Sequence, residues 1–448
     1  MSTDPLYPFQ EAAAASAATG QQVYLGFDPG LGKSRTAIET AKRRKVRRML
    51  VVCPASGRYV WASEMKKWWP DMPVTVIRGP ADLGFLRNPG VIVLTYGLLS
   101  IKEGPFVSGL LKTPKFDMAV IDEAAFVKNP GSNRTRAILG KLLGHLGYVL
   151  PMSGTPAPNH AGELYPILKA LHPAAITDGS GVVMNQWQFE DAYCKVVQKR
   201  FGQGPSVRVI EGSKNLAGLR EKMNGFMLRV RKEDVLDELP DIRYDVVPIA
   251  PTPNVIGNLP QLPAFASDEE FLKYLAGAAG DVHVMRLRHL LGLAKLQPAV
   301  EYIDDFLQNL NPHKKVLVFA HHKDVVEGLH ARLRDHHPTL ITGSTTTVER
   351  AKAIDDFLME PRCRLMVGNI QAMGTGLTLV GPNCRCSDVI FVEASYAVGD
   401  NVQAAARVHR IGQYEGVVAR FLTAHGTIDD RIQSILARKA KDFHDLFN

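Results

Sequence analysis

The segment YLGFDPGLGKSRTAIETAKRR, residues 24–44, places a glycine-rich turn between a short apolar run and a helical pattern. A turn of this kind directs backbone N–H groups at a phosphate, and the N-terminus of the following helix adds a favourable dipole. Gly30 and Gly32 allow the backbone to approach closely. The Lys33 ammonium would reach the β- and γ-phosphates, and the Ser34 hydroxyl would ligate Mg²⁺. The segment therefore predicts a nucleotide-binding loop between a strand and a helix.

Short apolar runs recur on both sides of this loop, separated by helix-length segments. Such alternation is typical of a parallel sheet with helices on both faces, because parallel strands need long crossover connections. The runs form two groups, so the sequence predicts an α/β fold with two parallel-sheet lobes. The predicted strands are YLGF (24–27), MLVVC (49–53), VTVI (74–77), VIVLTY (91–96), MAVID (118–122), YVLPMSG (148–154), VLVFA (316–320), LITG (340–343), RLMVG (364–368), VIFVE (389–393) and VVARFLT (417–423).

The stretch between the two groups has a different pattern. It shows helical periodicity and few strand signals, and PTPNVIGNLPQLP (251–263) is too rich in Pro and Asn for a regular element. We interpret that stretch as part of a hinge. The predicted parts are a first lobe over residues 1–160, a helical insertion over 161–250, a hinge with linking helices over 251–310, and a second lobe over 311–448 that ends in an amphipathic helix over 427–448.

The composition is that of an ordinary globular protein with several cores. The 448 residues are 46% hydrophobic and 22% charged, and 53 Lys and Arg against 45 Asp and Glu give a net charge of +8. This charge is compatible with a polyanionic partner but does not establish one. Five scattered cysteines indicate a reducing compartment. No signal-like N-terminus or long apolar run is present, so we expect a cytoplasmic protein without a membrane partner.

A second motif, MAVIDEAA (118–125), ends an apolar strand in two carboxylates. Ligands bind at the carboxyl ends of strands in open parallel sheets, which would put this pair beside the nucleotide loop. Asp122 would hold Mg²⁺ through water, and Glu123 would orient and polarise the attacking water. In this order behind the loop, the pair predicts a nucleoside triphosphatase.

A third motif, QAAARVHRIGQ (403–413), contains three polar side chains at helical spacing. Gln403, Arg407 and Arg410 are at positions i, i+4 and i+7 of a predicted helix and would share one face. Guanidinium groups are suited to neutralising the charge that develops on a transferring γ-phosphoryl group. The alternative is a charged, solvated helix face. If the second lobe closes on the first, this face becomes an arginine finger.

Taken in order, the motifs resemble those of the two-lobed superfamily 2 helicases and, within them, the Swi/Snf-type DNA translocases. The resemblance extends from about residue 6 to 440. Besides the three motifs above, it rests on LYPFQ (6–10), VVCPASGRYVWASEMKKW (51–68, motif Ia), VIVLTYGLLS (91–100, Ib), FVKNPGSNRTRA (126–137), MSGTPAPN (152–159, III), VLVFAHHKD (316–324, IV), ITGSTTTVERAKAIDDF (341–357, IVa) and IQAMGTGLTL (370–379, V).

Placement in the Swi/Snf branch rests on FMLRVRKEDVLDELP (226–240), which is similar to the family's F-M-L-R-R-L-K-x-D-V-x-x-x-L-P. Ordinary DEAD-box and DEAH-box helicases have no counterpart to it. VFAHHKD, GSTTTVERAKAIDDF and SGTPA most resemble the annealing-helicase, HARP-like branch.

The resemblance implies two RecA-like lobes that bind ATP and Mg²⁺. The nucleotide-binding residues it implies are Gln10 (which would read the adenine), Gly30, Leu31, Gly32, Lys33, Ser34 and Gln403. Catalytic roles are implied for Lys33, Asp122, Glu123, Arg407 and Arg410, and Mg²⁺ ligation for Ser34 and Asp122.

Three positions depart from the family pattern. Phe27 occupies the first position of the nucleotide loop, where the family has Asp and the strict G-x-x-x-x-G-K-[ST] pattern has Gly. Ala125 replaces the His of D-E-A-H, and Ala406 replaces the Asp before Arg407. The two alanines are expected to affect how ATP hydrolysis is coupled to lobe movement.

The function implied is a DNA-dependent ATPase that translocates on double-stranded DNA. Alternatives are a strand-annealing or fork-remodelling helicase, a degenerate ATPase that serves as a DNA-binding clamp, and an RNA helicase, which the segment 226–240 disfavours. We expect a monomer, bacterial or viral and nucleoid-associated, acting on double-stranded or branched DNA. Predicted contacts to DNA phosphates are Ser56, Arg58, Thr95, Tyr96, Lys323, Ser344 and Thr375.

Overall fold

The computed structural model describes most of the chain, in two compact units. We call the described residues up to Lys199, together with Arg208–Val235, the first lobe, and the described residues from Ile242 onward, together with Arg200, Ser206 and Val207, the second lobe. The residues described are 5–20, 22–102, 104–200, 206–235, 242–252, 278–373, 379–380, 384–395, 398–410, 413–424 and 427–429.

The first lobe is built on a seven-stranded sheet in which every assigned strand pair is parallel. Its spatial order is β3-β4-β2-β5-β6-β1-β9. The strands are β1 (Tyr24–Phe27), β2 (Arg48–Cys53), β3 (Val74–Val76), β4 (Gly90–Thr95), β5 (Phe116–Asp122), β6 (Leu146–Met152) and β9 (Met227–Val230); β7 (Cys194–Arg200) and β8 (Ser206–Ser213) form a separate two-stranded sheet.

Helices cover the first sheet because its strands are apolar on both faces. Residues of β1, β2 and β4 are all buried, as expected for the interior of a parallel α/β sheet. The helices are α1 (Pro8–Ala18), α2 (Lys33–Arg43), α3 (Arg58–Trp68), α4 (Tyr96–Ser100), α5 (Pro105–Leu111), α6 (Asn133–Arg136), α7 (Tyr165–Leu171), α8 (Gln186–Tyr193), α9 (Leu216–Lys222) and α10 (Lys232–Val235).

The second lobe contains a six-stranded sheet, also parallel at every assigned pair, in the order β10-β15-β14-β11-β13-β12. Its strands are β10 (Ile242–Ile249), β11 (Lys314–Ala320), β12 (Thr339–Ile341), β13 (Leu365–Asn369), β14 (Arg385–Phe391) and β15 (Val417–Ala424). Its helices are α11 (Ala278–Asn309), α12 (Lys323–Arg332), α13 (Thr347–Met359), α14 (Ile370–Met373) and α15 (Val398–Ala405). The prediction of two parallel-sheet lobes is confirmed.

The segment predicted as a helical insertion contains α7 to α10, but also β7 to β10. β9 pairs with β1 in the first sheet, and β10 pairs with β15 at the edge of the second. The edge position accommodates Pro248, which lacks the N–H of an interior strand residue. The expected strand content of this segment was therefore too low, because short or polar-alternating edge strands lack the continuous apolar signature of buried ones.

Two further expectations concern the later part of the chain. The helix α11 falls within the predicted linking region, and its Leu296, Ala299, Ile303 and Leu307 pack into the core of the second lobe. Residues 253–277 of the predicted hinge region and the predicted terminal helix from residue 430 onward lie outside the described residues. Among the residues that are described, no helix combines the length and apolar character that a membrane span requires.

Candidate nucleotide site

Four neighbouring strands bring the predicted ATP-site residues to one edge of the first sheet. β5, β6, β1 and β9 lie side by side, with Asp122 opposite Met152 and Phe27 opposite Val230. Because these strands are parallel, their carboxyl ends meet at the same edge. The nucleotide loop after β1, the Asp-Glu pair after β5 and the motif III segment after β6 therefore share this edge.

The nucleotide loop has the backbone conformation that its glycines allow. Gly30 and Gly32 have φ values of +95° and +76°, in the left-handed region that other residues rarely adopt. A Cβ at Gly32 would lie 2.4 Å from the Gln10 Nε2 atom, so a larger residue would displace that side chain. Lys33 begins α2, and the half-buried Ser34 follows it at the helix N-terminus.

Gln10 holds the loop from the helix α1. Its amide Nε2 donates to the carbonyl of Leu31 over 3.1 Å, and its Oε1 accepts from the backbone N–H of Tyr7 over 3.1 Å. The Gln10 side chain is buried, so these hydrogen bonds fix it beside the loop. The structure thus places Gln10 next to Leu31 and Gly32, and its predicted contact with adenine stays a prediction.

The Lys33 ammonium lies over the loop. It donates to the carbonyl of Phe27 over 3.0 Å and reaches that of Asp28 at 3.4 Å. Phe27, whose side chain is fully buried, therefore contributes its main chain to this contact. A phosphate placed against the loop would offer Lys33 a fully charged partner in place of these carbonyl dipoles.

Asp122 is held by a residue that the sequence reasoning did not single out. The indole Nε1 of Trp61, on α3, donates to Asp122 Oδ2 over 2.8 Å. Burial and the adjacent Glu123 charge raise the pKa of Asp122 to about 7, while the Trp61 hydrogen bond and the Lys33 charge oppose that rise. Trp61 is within the quoted motif Ia, but nothing in its spacing indicates contact with a carboxylate.

Glu123 follows Asp122 in an unusual backbone conformation, with φ 52° and ψ 59°. A left-handed conformation at a non-glycine residue costs about 1–2 kcal/mol and is concentrated at functional sites. The Glu123 carboxylate accepts from Ser153 Oγ over 2.9 Å, and Ser153 Oγ in turn accepts from the backbone N–H of Thr155 over 3.1 Å. Motif III thereby orients the carboxylate through Ser153, a role that the sequence alone did not assign.

The structure encloses the side chain of Tyr96, one of the predicted DNA contacts. Tyr96 is 3% exposed, and its hydroxyl donates to the carbonyl of Asp122 over 2.7 Å. Its ring stacks on Phe126 with centroids 5.0 Å apart. The enclosed side chain thus supports the Asp-Glu turn, and a contact of Tyr96 with DNA stays a prediction. The neighbouring Thr95 is also buried, at 7% exposure.

The other predicted DNA contacts occupy element ends. In the first lobe, Ser56 lies in the short 3-10 helix Ala55–Gly57, and Arg58 begins α3. In the second lobe, Lys323 begins α12 with its side chain 62% exposed, and Ser344 is exposed in the loop after β12. Thr375 lies outside the described residues. Their contacts with DNA stay predictions.

The third motif, in the second lobe, does not form the predicted continuous helix. The helix α15 includes Gln403 but ends at Ala405, and turns follow, so Gln403, Arg407 and Arg410 do not share a helix face. Arg407 is buried at 8% exposure, and Arg410 is half-buried. The expectation of one face was therefore wrong.

After α15 the chain continues in tighter turns, which hydrogen bonds from elsewhere in the second lobe hold in place. The carbonyl of Arg407 accepts from the backbone N–H of Leu379 over 3.1 Å, and that of Val408 accepts from Gln413 Nε2 over 3.1 Å. Gln413 also donates to the carbonyl of Cys386, within β14, over 2.8 Å. These carbonyls are thus bonded outside the i→i−4 ladder that would continue the helix.

Fold and site together define a P-loop nucleotide-binding protein of the two-lobed, helicase-like class. Comparison with known families then identifies the branch: the SNF2-related domain matches residues 19–253, and the helicase conserved C-terminal domain matches residues 298–412. The chain therefore belongs to the SNF2 family, and the Swi/Snf resemblance found in its motifs is confirmed.

Individual relatives agree with this assignment. The chain is 30% identical to the DNA annealing helicase and endonuclease ZRANB3 of Mus musculus, over 97% of this chain and 40% of that protein. It is 32% identical to the SWI/SNF-related matrix-associated actin-dependent regulator of chromatin subfamily A-like protein 1 of Bos taurus, over 97% of this chain and 44% of that protein. The chain thus spans less than half the length of these relatives. Among solved structures, the Sulfolobus solfataricus SWI2/SNF2 ATPase core in complex with dsDNA aligns with a TM-score of 0.44 and 21% identity, covering 99% of this chain and 93% of that chain.

Proposed function

We propose that this protein is an ATP-dependent translocase on double-stranded DNA, which hydrolyses ATP to ADP and phosphate to remodel DNA or protein–DNA complexes. One observation carries the ATPase part. Lys33 and the Asp122–Glu123 pair lie at one edge of the first sheet, with Glu123 oriented by Ser153. This arrangement supplies a phosphate-binding cation, a metal-binding carboxylate and a water-orienting carboxylate.

The residues of this edge divide the chemistry among them. The backbone from Gly30 to Ser34 would bind the phosphates of ATP, and Lys33 would pair with the β- and γ-phosphates. Glu123 would accept a hydrogen bond from the attacking water and align it with the γ-phosphorus. Gln10, already fixed against the loop, would bind the adenine.

The donor set fits a magnesium ion. Mg²⁺ is usually held by one or two protein oxygens together with substrate phosphates, and Ser34 and Asp122 provide a hydroxyl and a carboxylate at this edge. When bound, Mg²⁺ neutralises charge on the β- and γ-phosphates. Burial raises the pKa of Asp122 to about 7, and a metal ion bound beside it would favour the ionised carboxylate.

The DNA part of the proposal has different support. The chain carries a net charge of +8, and it is similar to proteins whose names describe a DNA helicase and a chromatin regulator. Arg58, Lys323 and Ser344 stand at element ends where backbone phosphates would meet donors. The role of Gln403 in nucleotide binding and those of Arg407 and Arg410 at the γ-phosphate likewise stay proposals from the family resemblance.

ATPase assays with duplex, single-stranded and forked DNA and with RNA, run in parallel, test the proposal. We expect duplex DNA to stimulate hydrolysis at least as well as single strands, and stimulation to fall steeply with salt because binding rests on phosphate contacts. A third strand should be displaced from a triplex without unwinding of a blunt duplex. Lys33→Ala is the inactive control. Activation by single strands alone, with robust unwinding of a partial duplex, would refute the translocase proposal.

A strand-annealing or fork-remodelling activity is a second candidate, and the similarity to a protein named as a DNA annealing helicase favours it. The two candidates differ in product. An annealing motor closes an unpaired bubble or regresses a model fork in the presence of ATP, whereas a simple translocase strips a third strand but leaves the bubble open. Fork and bubble substrates in gel assays distinguish them.

A further inference from the structure

Arg229 joins the Swi/Snf-type segment 226–240 to the nucleotide loop. This residue lies in β9, which pairs with β1 in parallel register. Its Nη2 atom lies 2.7 Å from Asp28 Oδ1, and its Nη1 donates to the carbonyl of Gly26 over 2.6 Å. The Arg229 side chain is 15% exposed and that of Asp28 is 24% exposed, so solvent screens this ion pair only in part.

Other atoms of the same segment also bind Asp28. The backbone N–H of Lys232 donates to Asp28 Oδ2 over 3.1 Å, and the backbone N–H of Asp28 donates to the carbonyl of Val230 over 3.0 Å. Both carboxylate oxygens and the main chain of Asp28 are therefore bonded to Arg229, Val230 or Lys232. A short stretch of chain from far along the sequence thus fixes the first residue after β1.

The position of Asp28 affects the rest of the loop. Its carbonyl is one of the two that face the Lys33 ammonium, at 3.4 Å. It also precedes Gly30 and Gly32, whose left-handed conformations define the path of the loop. A displacement of Asp28 would move the donors that have to meet the phosphates, and would therefore weaken nucleotide binding.

Charge adds a second requirement. A carboxylate in a loop that binds phosphates would repel them, unless a cation neutralises it. Arg229 supplies that cation through Nη2 at 2.7 Å, while its Nη1 donates to the Gly26 carbonyl; a Lys could not make this two-pronged contact with both groups. The same guanidinium therefore fixes Asp28 and cancels its charge.

We propose that Arg229 is a positioning residue for the ATP site, which acts through Asp28 and makes tight nucleotide binding depend on the docking of β9. This inference rests on the proposed ATPase function. β9 lies shortly before Val235, the last described residue of the first lobe. The stretch of chain that leads toward the second lobe is therefore the same stretch that holds the nucleotide loop. Arg229 does not contact the reacting atoms in this proposal.

Titration of ATPγS with Mg²⁺ by isothermal calorimetry tests it. Arg229→Ala should weaken nucleotide binding about tenfold or more, with a larger effect on KM for ATP than on kcat. Arg231→Ala is the matched control, because Arg231 lies two residues away and forms ion pairs with Glu233 and Asp234. That variant should stay within about twofold of the wild type. If the wild-type protein does not bind ATPγS, the proposed function is refuted. If the wild-type protein binds ATPγS and Arg229→Ala binds it within about twofold as tightly, this inference is refuted.

A second pair of variants separates positioning from general stability. Arg229→Lys keeps the charge but loses the two-pronged contact, and should bind ATPγS with intermediate affinity. Adding Asp28→Asn to Arg229→Ala removes the uncompensated carboxylate, and should recover part of the affinity without restoring the melting temperature. The proposal is overturned if the loss of ATPγS affinity in all these variants is accounted for by the fraction of protein that is unfolded. It is also overturned if the double variant recovers no affinity.

Discussion

The hydrogen bond from Trp61 to Asp122 provides a quantitative test of the ATP site. Trp61→Phe keeps an aromatic ring in the buried position but removes the indole N–H that lies 2.8 Å from Asp122 Oδ2. A hydrogen bond to a charged group is worth about 1.5–3 kcal/mol, and one pKa unit corresponds to about 1.4 kcal/mol. Because this bond favours the ionised carboxylate, its loss should raise the pKa of Asp122, now about 7, by roughly one to two pH units.

The assay is the pH dependence of kcat/KM for ATP, which reports ionisations of the free enzyme. Asp122 has to be ionised to bind the metal, so activity should fall as the pH drops below its pKa. The acidic limb of the Trp61→Phe profile should therefore move to higher pH, with activity near the wild-type level on the alkaline side. Trp68→Phe is the matched control, since the Trp68 indole donates to Glu64 on the same helix over 2.8 Å.

The same ionisation has a stability signature. The pKa of Asp122 is raised above its unfolded value, so the folded state binds more protons between that value and about pH 7. The contribution of this carboxyl to stability is thus present at low pH and lost as the pH rises through about 7, opposite to an ion-paired aspartate.

In the kinetic test, an unchanged acidic limb in Trp61→Phe, or an equal loss of activity at every pH, would show that the hydrogen bond from Trp61 does not control the ionisation of Asp122.

Three further predictions concern turnover. Lys33→Ala should lose both ATP binding and hydrolysis, whereas Glu123→Gln should lose hydrolysis alone; equal losses of affinity in nucleotide titrations would contradict the role given to Glu123. Arg410→Ala should bind duplex DNA normally but hydrolyse ATP on the order of a thousandfold more slowly, as expected for an arginine finger, and near-normal hydrolysis with weaker DNA binding would assign it to the nucleic acid. Ser153→Ala removes a 2.9 Å hydrogen bond to Glu123 and leaves the Thr155 N–H without that acceptor. It should lower kcat roughly ten- to a hundredfold at unchanged KM, and a change in KM alone would argue against orientation of Glu123.

The apolar runs predicted the sheets well because burial on both faces imposes continuous hydrophobicity. All eleven predicted strands form, with ends that differ by at most four residues. β9 was missed because MLRV is short and continues a helical pattern, and only its partner β1, about two hundred positions earlier, makes it a strand. Long-range pairing of this kind leaves no local signal.

The site shows the same limit. Gly30, Gly32 and Lys33 were identified because their conformational and charge requirements are local. Trp61 and Ser153 were not assigned roles, because their contacts with the Asp-Glu pair depend on how helix and strands pack. The end of α15 was also missed, because no local signal marks the point where the N–H groups of Arg407 and Val408 donate three residues back instead of four.

The late arrival of β9 sets the order in which the first lobe can be completed during synthesis. β1 pairs with β6 on one side, and its other side stays an open edge until residues 227–230 leave the ribosome and add to it. An open, fully apolar parallel edge is a template for pairing with another chain. A nascent or truncated chain that stops before β9 therefore leaves that edge of β1 open, and we expect such a chain to be prone to aggregation there. Chains released after residue 235 contain β9, which pairs with β1 and covers that edge.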